Sequence, residues 1–152
     1  MSELKDRLQS DLTTAMKARD ELRTATLRMV LTAVKNEEVS GGEARELDDD
    51  AVLKVLAREA KKRREAAEAY VGAGRQELAD REEAEGRVIG EYLPAQLADA
   101  ELDALVAAAV AEVGATTPQQ MGAVMKVVTP RVAGRAEGGR VAAAVKKALA
   151  PG

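Results

Sequence analysis

The chain has 152 residues, of which 46% are apolar and 32% are charged, and its formal net charge at pH 7 is −3. Alanine dominates the apolar residues, whereas Leu, Ile, Val and Phe together contribute only 32 residues. This length allows one domain or two small ones, and so few large apolar side chains predict a thin core built by close helix packing.

Four missing residue types exclude several kinds of site. The sequence has no Cys, His, Phe or Trp, and Tyr70 and Tyr92 are its only aromatic residues. The absence of Cys and His excludes a disulfide framework, a thiol nucleophile, an imidazole base and a conventional zinc site. RNA recognition by stacking bases on a platform of aromatic side chains is excluded in practice. We therefore expect no catalytic residue, no cofactor and no metal.

Apolar windows are short throughout the sequence. No window approaches the roughly 18 consecutive apolar residues of a membrane span, and the first residues lack the apolar centre of a signal peptide. These observations predict a cytoplasmic protein that does not contact a membrane.

Helical spacing of apolar residues predicts two helices in the first 40 residues. The first follows the N-cap Ser2, and its inward stripe is predicted to comprise Leu4, Leu8, Leu12, Ala15 and Met16. The second has a predicted inward stripe of Leu22, Ala25, Met29 and Ala33, flanked by Val30 and Val34. It is expected to end before Ser40, because two glycines follow that residue.

Two further helices are predicted before Pro94. The acidic run 48–50 favours a helix N-terminus, and the inward stripe behind it comprises Val52, Leu53, Val55, Leu56 and Ala60. Gly72 and Gly74 interrupt this helix. The next is predicted to start near Arg75 and to be closed by Pro94, because the residue before a proline is pushed out of helical geometry.

Three shorter helices are predicted after Pro94. The first has a clear apolar stripe and ends at Gly114. The segment 117–120 combines an N-cap, a proline at the first helical position and a capping-box Gln, so it predicts the start of the second. The third follows Gly134 with the stripe Val141, Val145 and Leu149.

The sequence has no strand-like alternation longer than a few residues, so it predicts an all-α protein. We expect an N-terminal helical hairpin or bundle over residues 1–94, followed by a small three-helix C-terminal domain over residues 95–152.

Basic residues are concentrated towards the end of the chain. Residues 114–152 contain one acidic residue and six basic ones, a net charge of +5, whereas residues 1–113 carry −8. The basic residues are Lys126, Arg131, Arg135, Arg140, Lys146 and Lys147. A basic segment in an acidic protein is typical of phosphate binding, although a solvated helix surface explains the same charges.

Two glycine-containing motifs lie in this basic segment. Gly134 opens a loop in which backbone N–H groups can approach a phosphate, and Arg135 and Arg140 could grip the same phosphate. The alternative is a plain turn followed by a helix cap. Gly122 lies inside a predicted helix, where close packing of a neighbouring backbone is the favoured explanation.

Two charged runs in the first half are interpreted as solvated helix faces. The basic run 61–64 has acidic neighbours three or four residues away, for example Glu65 for Lys61 and Glu68 for Arg64. RNA contact is the alternative for this run. The carboxylates at Asp80, Glu82, Glu83 and Glu85 have the chemistry to hold Mg²⁺, but a polar helix exterior is the commoner arrangement.

The order of motifs resembles the GatB/YqeY family, specifically its small stand-alone YqeY-like proteins. The matching segments before residue 100 are 16–20, 26–30, 61–65, 74–79 and 92–97, together with Tyr70, Glu82 and Glu85. Segments 121–125 and 134–136, with Val141 and 145–146, resemble the domain shared with the tail of the amidotransferase B subunit. Where the family usually has Asp after the Gly-Arg/Lys-Ala triplet, this chain has Glu137.

The resemblance implies a helical N-terminal part and a C-terminal domain that helps to hold tRNA during tRNA-dependent amidation. The amide-transfer chemistry belongs to other domains of the amidotransferase, so we expect no intrinsic activity here. The leading hypothesis is a non-catalytic protein that binds tRNA through Lys126, Arg131, Gly134, Arg135, Arg140, Lys146 and Lys147. DNA binding is not expected.

Two other hypotheses remain open. One is an interaction module that docks on an amidotransferase or an aminoacyl-tRNA synthetase complex, which the long charged helix from Asp48 to Tyr70 supports. The other is a carbon–nitrogen ligase with glutamine as amido-nitrogen donor, which the family name alone supports.

Overall fold

A computed structural model describes residues 2–151 of the chain. It is 77% helical, and residues 2–151 form seven α-helices and no strand, which confirms the all-α prediction. The helices are α1 (Glu3–Lys17), α2 (Glu21–Val39), α3 (Asp49–Gly72), α4 (Gln76–Gly90), α5 (Asp99–Val113), α6 (Met121–Val132) and α7 (Gly138–Leu149). The chain divides into two compact units, which we call unit 1 (up to Leu93) and unit 2 (from Pro94).

The first three helices of unit 1 begin at acidic or hydroxyl N-caps. The side chain of each cap accepts a hydrogen bond from the backbone N–H three residues later, the caps being Ser2, Asp20 and Asp48. The Ser2 hydroxyl also donates to Asp49 Oδ1 at 2.5 Å, which ties the start of α1 to the start of α3. This hydrogen bond is the main reason why the pKa of Asp49 lies below its ordinary value.

The core of unit 1 draws on all four helices. Its buried residues are Leu8, Leu27, Val30, Val34, Leu47, Val52, Val55, Leu56, Val88, Ile89 and Tyr92. The predicted stripe of α2 is correct for Met29 and Ala33, which pack against the core, and for the flanking Val30 and Val34, which are buried. It is wrong for Ala25, which is exposed, and it omits the buried Leu27. The larger side chains bury more apolar surface than the alanines of the predicted stripe. Met16, predicted to face the core, is 48% exposed at the end of α1.

Tyr92 joins the segment after α4 to α1. Its hydroxyl donates to Asp11 Oδ2 at 2.5 Å, and the guanidinium of Arg7 lies 4.6 Å from the centre of its ring. Burial, followed by the hydrogen bond to Asp11, raises the pKa of the Tyr92 phenol. The phenol therefore stays neutral over the physiological range.

An ion-pair network connects α3 and α4. Arg63 lies within 3.5 Å of both Glu59 and Glu82 and 3.7 Å from Glu85, while Lys62 lies 3.1 Å from Glu59. Glu59 is only 5% exposed, so it occupies an inward position of α3 one turn after Leu56. The interpretation of the run 61–64 as a solvated helix face is therefore wrong for Arg63, whose side chain is 18% exposed. It holds for Lys61, whose exposed pair with Glu65 is present at 3.8 Å.

Unit 2 is a bundle of α5, α6 and α7. Its core comprises Leu97, Leu102, Val106, Ala109, Ala115, Val124, Val128, Val132, Ala136, Val141, Val145 and Leu149. The predicted capping box at Thr117 and Gln120 is present, but it opens a single 3₁₀ turn (Pro118–Gln120) immediately before α6. Within residues 2–151, no helix combines the length and the apolar character needed to cross a bilayer.

Candidate nucleic-acid interface

The loop between α6 and α7 is held by the segment that enters unit 2. Ala133 and Gly134 both have left-handed backbone, with φ of 47° and 79°. The N–H of Leu97 donates to the Arg135 carbonyl at 2.7 Å, and the side-chain amide of Gln96 donates to the Gly134 carbonyl at 3.3 Å. These bonds fix the loop conformation without using its N–H groups at residues 138 and 139.

Arg135 caps the C-terminus of α6. Its Nε donates to the Val132 carbonyl at 3.1 Å and its Nη2 donates to the Arg131 carbonyl at 2.7 Å. Such bonds satisfy carbonyls that have no partner within the helix, and a cation at a helix C-terminus interacts favourably with the helix dipole. Arg135 thus has a structural role that its position in the sequence motif did not indicate.

Arg140 bonds to the start of α5. Its Nη2 donates to the Leu97 carbonyl at 2.9 Å and to Asp99 Oδ1 at 2.9 Å. The two arginines predicted to grip one phosphate are therefore each bonded to different partners within unit 2.

Arg131 is paired with Glu112 of α5. The distance from Nη1 to Oε2 is 2.5 Å, and both side chains are about half exposed, at 41% and 54%. The hydrogen bond within this pair lowers the pKa of Glu112 and raises that of Arg131. An exposed pair of this kind contributes little to stability, and it leaves Arg131 partly neutralised towards an external anion.

Three lysines of unit 2 have no such partner. Lys126, Lys146 and Lys147 are exposed, and none forms an ion pair or side-chain hydrogen bond with any residue from 2 to 151. Lys126 lies on α6, and the other two lie in the last turn of α7. These are the predicted site residues whose charge is most available to a ligand.

The glycines of the motifs are open to solvent. A Cβ built at Gly122 or Gly134 would meet no heavy atom within 4 Å. The packing explanation for Gly122 is therefore wrong, since no neighbouring backbone approaches it. Gly134 is explained by its positive φ, which glycine adopts without steric cost.

The net charge of unit 2 as a whole is smaller than that of residues 114–152 alone. Residues 94–152 contain six basic and five acidic residues, a net charge of +1, because α5 brings four acidic residues into the same unit. Two of them, Glu112 and Asp99, pair with Arg131 and Arg140. Two of the six basic residues of the +5 segment are thus paired with carboxylates. Arg135 is bonded to backbone carbonyls, and Lys126, Lys146 and Lys147 have no partner among residues 2–151.

Carboxylates do not form a metal site in the described part of the chain. Residues 2–151 hold no group of three or more acidic side chains arranged to bind a metal ion. The interpretation of the carboxylates in α4 as a polar helix exterior is wrong for Glu82 and Glu85, which face Arg63 and are only 16% and 14% exposed.

The fold and the surface define the class of protein as an all-helical molecule of two small units, of which unit 2 carries three exposed lysines without partners among residues 2–151. The chain belongs to the YqeY-like protein family, whose model matches residues 5–149. This match confirms the family resemblance.

Curated relatives are found among yeast proteins named "Altered inheritance of mitochondria protein 41, mitochondrial". The protein from Lachancea thermotolerans is 33% identical over 114 residues, which cover 73% of this chain and 60% of the relative. The one from Meyerozyma guilliermondii is 34% identical over 86 residues, covering 57% of this chain and 44% of the relative. The chain thus spans about half of these proteins' length. Because the relatives are mitochondrial, the prediction of a cytoplasmic location is wrong on this comparison.

Proposed function

We propose that the chain is a non-catalytic RNA-binding protein and that unit 2 binds the phosphate backbone of tRNA. The observation that carries the proposal is the presence of three exposed lysines without carboxylate partners, Lys126, Lys146 and Lys147. An unpaired ammonium at the surface can neutralise a phosphate and release a counterion, which is the main source of affinity for a nucleic acid.

The arginines of unit 2 have a smaller part in the proposal, because each is bonded within that unit. Arg135 and Arg140 contribute by holding the α6–α7 loop in place, and Arg131 contributes a partly neutralised charge.

The link to tRNA rather than to RNA in general rests on the resemblance of unit 2 to the tail of the amidotransferase B subunit. A connection with tRNA-dependent amidation is part of the proposal for the same reason. Binding of tRNA by a recognition unit without a catalytic centre accounts for a chain that has neither Cys nor His.

The test is tRNA affinity as a function of salt for the full chain and two variants. In Lys126→Ala/Lys146→Ala/Lys147→Ala, we expect weaker binding and a slope of log K against log salt that is smaller by about 2 to 3. The matched control Lys35→Ala/Lys54→Ala/Arg87→Ala removes three exposed charges of unit 1 that have no ion-pair partner among residues 2–151, and it should bind like the wild type.

Equal losses of affinity in both variants would contradict a specific surface on unit 2. Absence of tRNA binding by the wild type at low salt would contradict the RNA-binding function. If the wild type does not bind, a pull-down that survives nuclease and high salt would favour docking on an amidotransferase or synthetase. Glutamine-dependent amidation by the purified chain would establish the enzyme hypothesis instead.

A further inference from the structure

We propose that a second RNA contact lies in unit 1, in the open groove where α1 ends and α2 begins, with Arg19 and Arg28 binding the phosphodiester backbone. The groove has a volume of about 390 Å³, and its lining residues are Met16, Arg19, Glu21, Thr24, Ala25 and Arg28. The inference takes RNA as ligand from the proposed function, but it concerns different residues in a different unit.

Charge is the first observation that supports this contact. Arg19 and Arg28 are exposed, and neither guanidinium pairs with a carboxylate from residues 2–151. Nη2 of Arg28 lies 3.7 Å from Met16 Sδ. Because neither guanidinium has a carboxylate partner, both are available to donate charge-assisted hydrogen bonds to a phosphate in the groove.

The backbone at Arg19 is the second observation. α1 ends in a Schellman motif, in which the Arg19 N–H donates to the Met16 carbonyl at 3.2 Å and the Asp20 N–H donates to the Ala15 carbonyl at 3.0 Å. Arg19 occupies the position that glycine usually takes, with φ of 57°. Arg19 therefore has a long cationic side chain at a position where the left-handed backbone favours glycine.

The remaining groove residues fit a nucleic-acid strand. Met16, which is 48% exposed, and the exposed Ala25 offer apolar surface to a sugar or base, and Thr24 adds a hydroxyl. Glu21 is the one acidic residue in the lining and opposes an anion. Because the groove is open to solvent, an extended polymer can lie along it.

The experiment measures binding of fluorescently labelled tRNA to the full chain against salt. For Arg19→Ala/Arg28→Ala, we expect affinity to fall by about 10- to 100-fold at 50 mM salt and the salt slope to fall by about 2. For Glu21→Gln, we expect tighter binding. The control Lys54→Ala/Arg87→Ala removes the same number of positive charges, but outside the groove, and should bind like the wild type.

The unit 2 variant Lys126→Ala/Lys146→Ala/Lys147→Ala separates this inference from the proposed function. If the Arg19/Arg28 variant weakens binding and the lysine variant does not, the result supports RNA binding by the groove and contradicts RNA binding by unit 2. The reverse result overturns the groove alone. Wild-type affinity in both variants overturns both, as does absence of binding by the wild-type chain.

Discussion

The hydrogen bond between Tyr92 and Asp11 joins a buried tyrosine to a partly exposed carboxylate. Tyr92 is 6% exposed, whereas the Asp11 side chain is 39% exposed and also lies 3.8 Å from Arg7. We expect Tyr92→Phe to lower the free energy of unfolding by about 1.5 to 3 kcal/mol, because the hydrogen bond is made to a charged group. Urea unfolding measures this. Tyr70→Phe is the control, and an equal loss there would contradict the role of the bond.

Arg19 and Ala133 are the two non-glycine residues with positive φ in residues 2–151. Replacing either by glycine removes the steric cost of the left-handed backbone, of about 1 to 2 kcal/mol, and adds unfolded-state entropy of about 0.5 to 1 kcal/mol. We therefore expect each variant to be about 0.5 to 1 kcal/mol more stable than the wild type.

The two substitutions should differ in binding. Arg19→Gly is expected to gain stability and lose tRNA affinity, whereas Ala133→Gly should gain stability alone. Thermal unfolding and binding titrations on the same preparations compare the two properties. A stabilised Arg19→Gly variant with unchanged affinity would show that the arginine has no ligand.

At the scale of elements, α3 and α4 depend on Arg63. Its side chain is 18% exposed and faces Glu59, Glu82 and Glu85, so it is the central positive charge among three carboxylates. Arg63→Met should destabilise the protein by about 2 to 3 kcal/mol, because Glu59 keeps only Lys62 as a partner and Glu82 loses its pair with Arg63. The denaturation midpoint in urea should fall accordingly.

Arg58 provides the matched control. It lies on the same helix and pairs with Glu37 at 3.2 Å, but the two side chains are 52% and 33% exposed. We expect Arg58→Met to change stability by less than about 1 kcal/mol, because solvent screens the pair. If Arg63→Met were equally mild, the network would contribute no more than surface charges do.

Most helices could be predicted from the sequence because their ends carry local signals. Asp48 accepts the Ala51 N–H where an acidic run indicated a helix start, and α2 ends at Val39 before Ser40. The inward face of α2 could be read only in part. Small and large apolar residues alternate around that helix, and the choice between Ala25 and Leu27 depends on tertiary packing.

The candidate sites were less predictable than the helices. The charges at Arg135 and Arg140 are evident in the sequence, but their bonds to the Val132 and Leu97 carbonyls depend on the folded loop. The burial of Glu59 could not be predicted, because a buried carboxylate and a solvated one have the same sequence pattern on a mixed-charge helix. Met16, Arg19 and Arg28 of the unit 1 groove lie in the family-matching segments 16–20 and 26–30, but nothing in the sequence indicates that these two segments line one groove.

At the scale of the whole molecule, the ionisation of carboxyl groups makes the free energy of unfolding depend on pH. Three of them, Glu38, Asp49 and Glu112, have pKa values below their ordinary range, in each case mainly through a side-chain hydrogen bond. A lowered folded-state pKa contributes stability above the unfolded pKa, and this stability is lost as pH falls through the folded value. We therefore expect lower urea midpoints at pH 3 than at pH 7.

Glu38 tests the cause of this acid sensitivity. Its carboxylate accepts from Lys5 Nζ at 2.9 Å and from the Leu47 N–H at 3.3 Å, so it joins α1 to the chain after α2. Glu38→Gln should be less stable than the wild type at pH 7, and the difference should shrink towards pH 3. A difference independent of pH would exclude ionisation as the cause.

The bonds between residues 96–97 and the α6–α7 loop determine how the molecule can be dissected. Leu97 is buried in the core of unit 2, its N–H donates to Arg135 and its carbonyl accepts from Arg140. A fragment cut at the first residue of α5 would keep every helix of unit 2 and still lose these attachments. A C-terminal fragment for spectroscopy or crystallisation should therefore begin at Pro94.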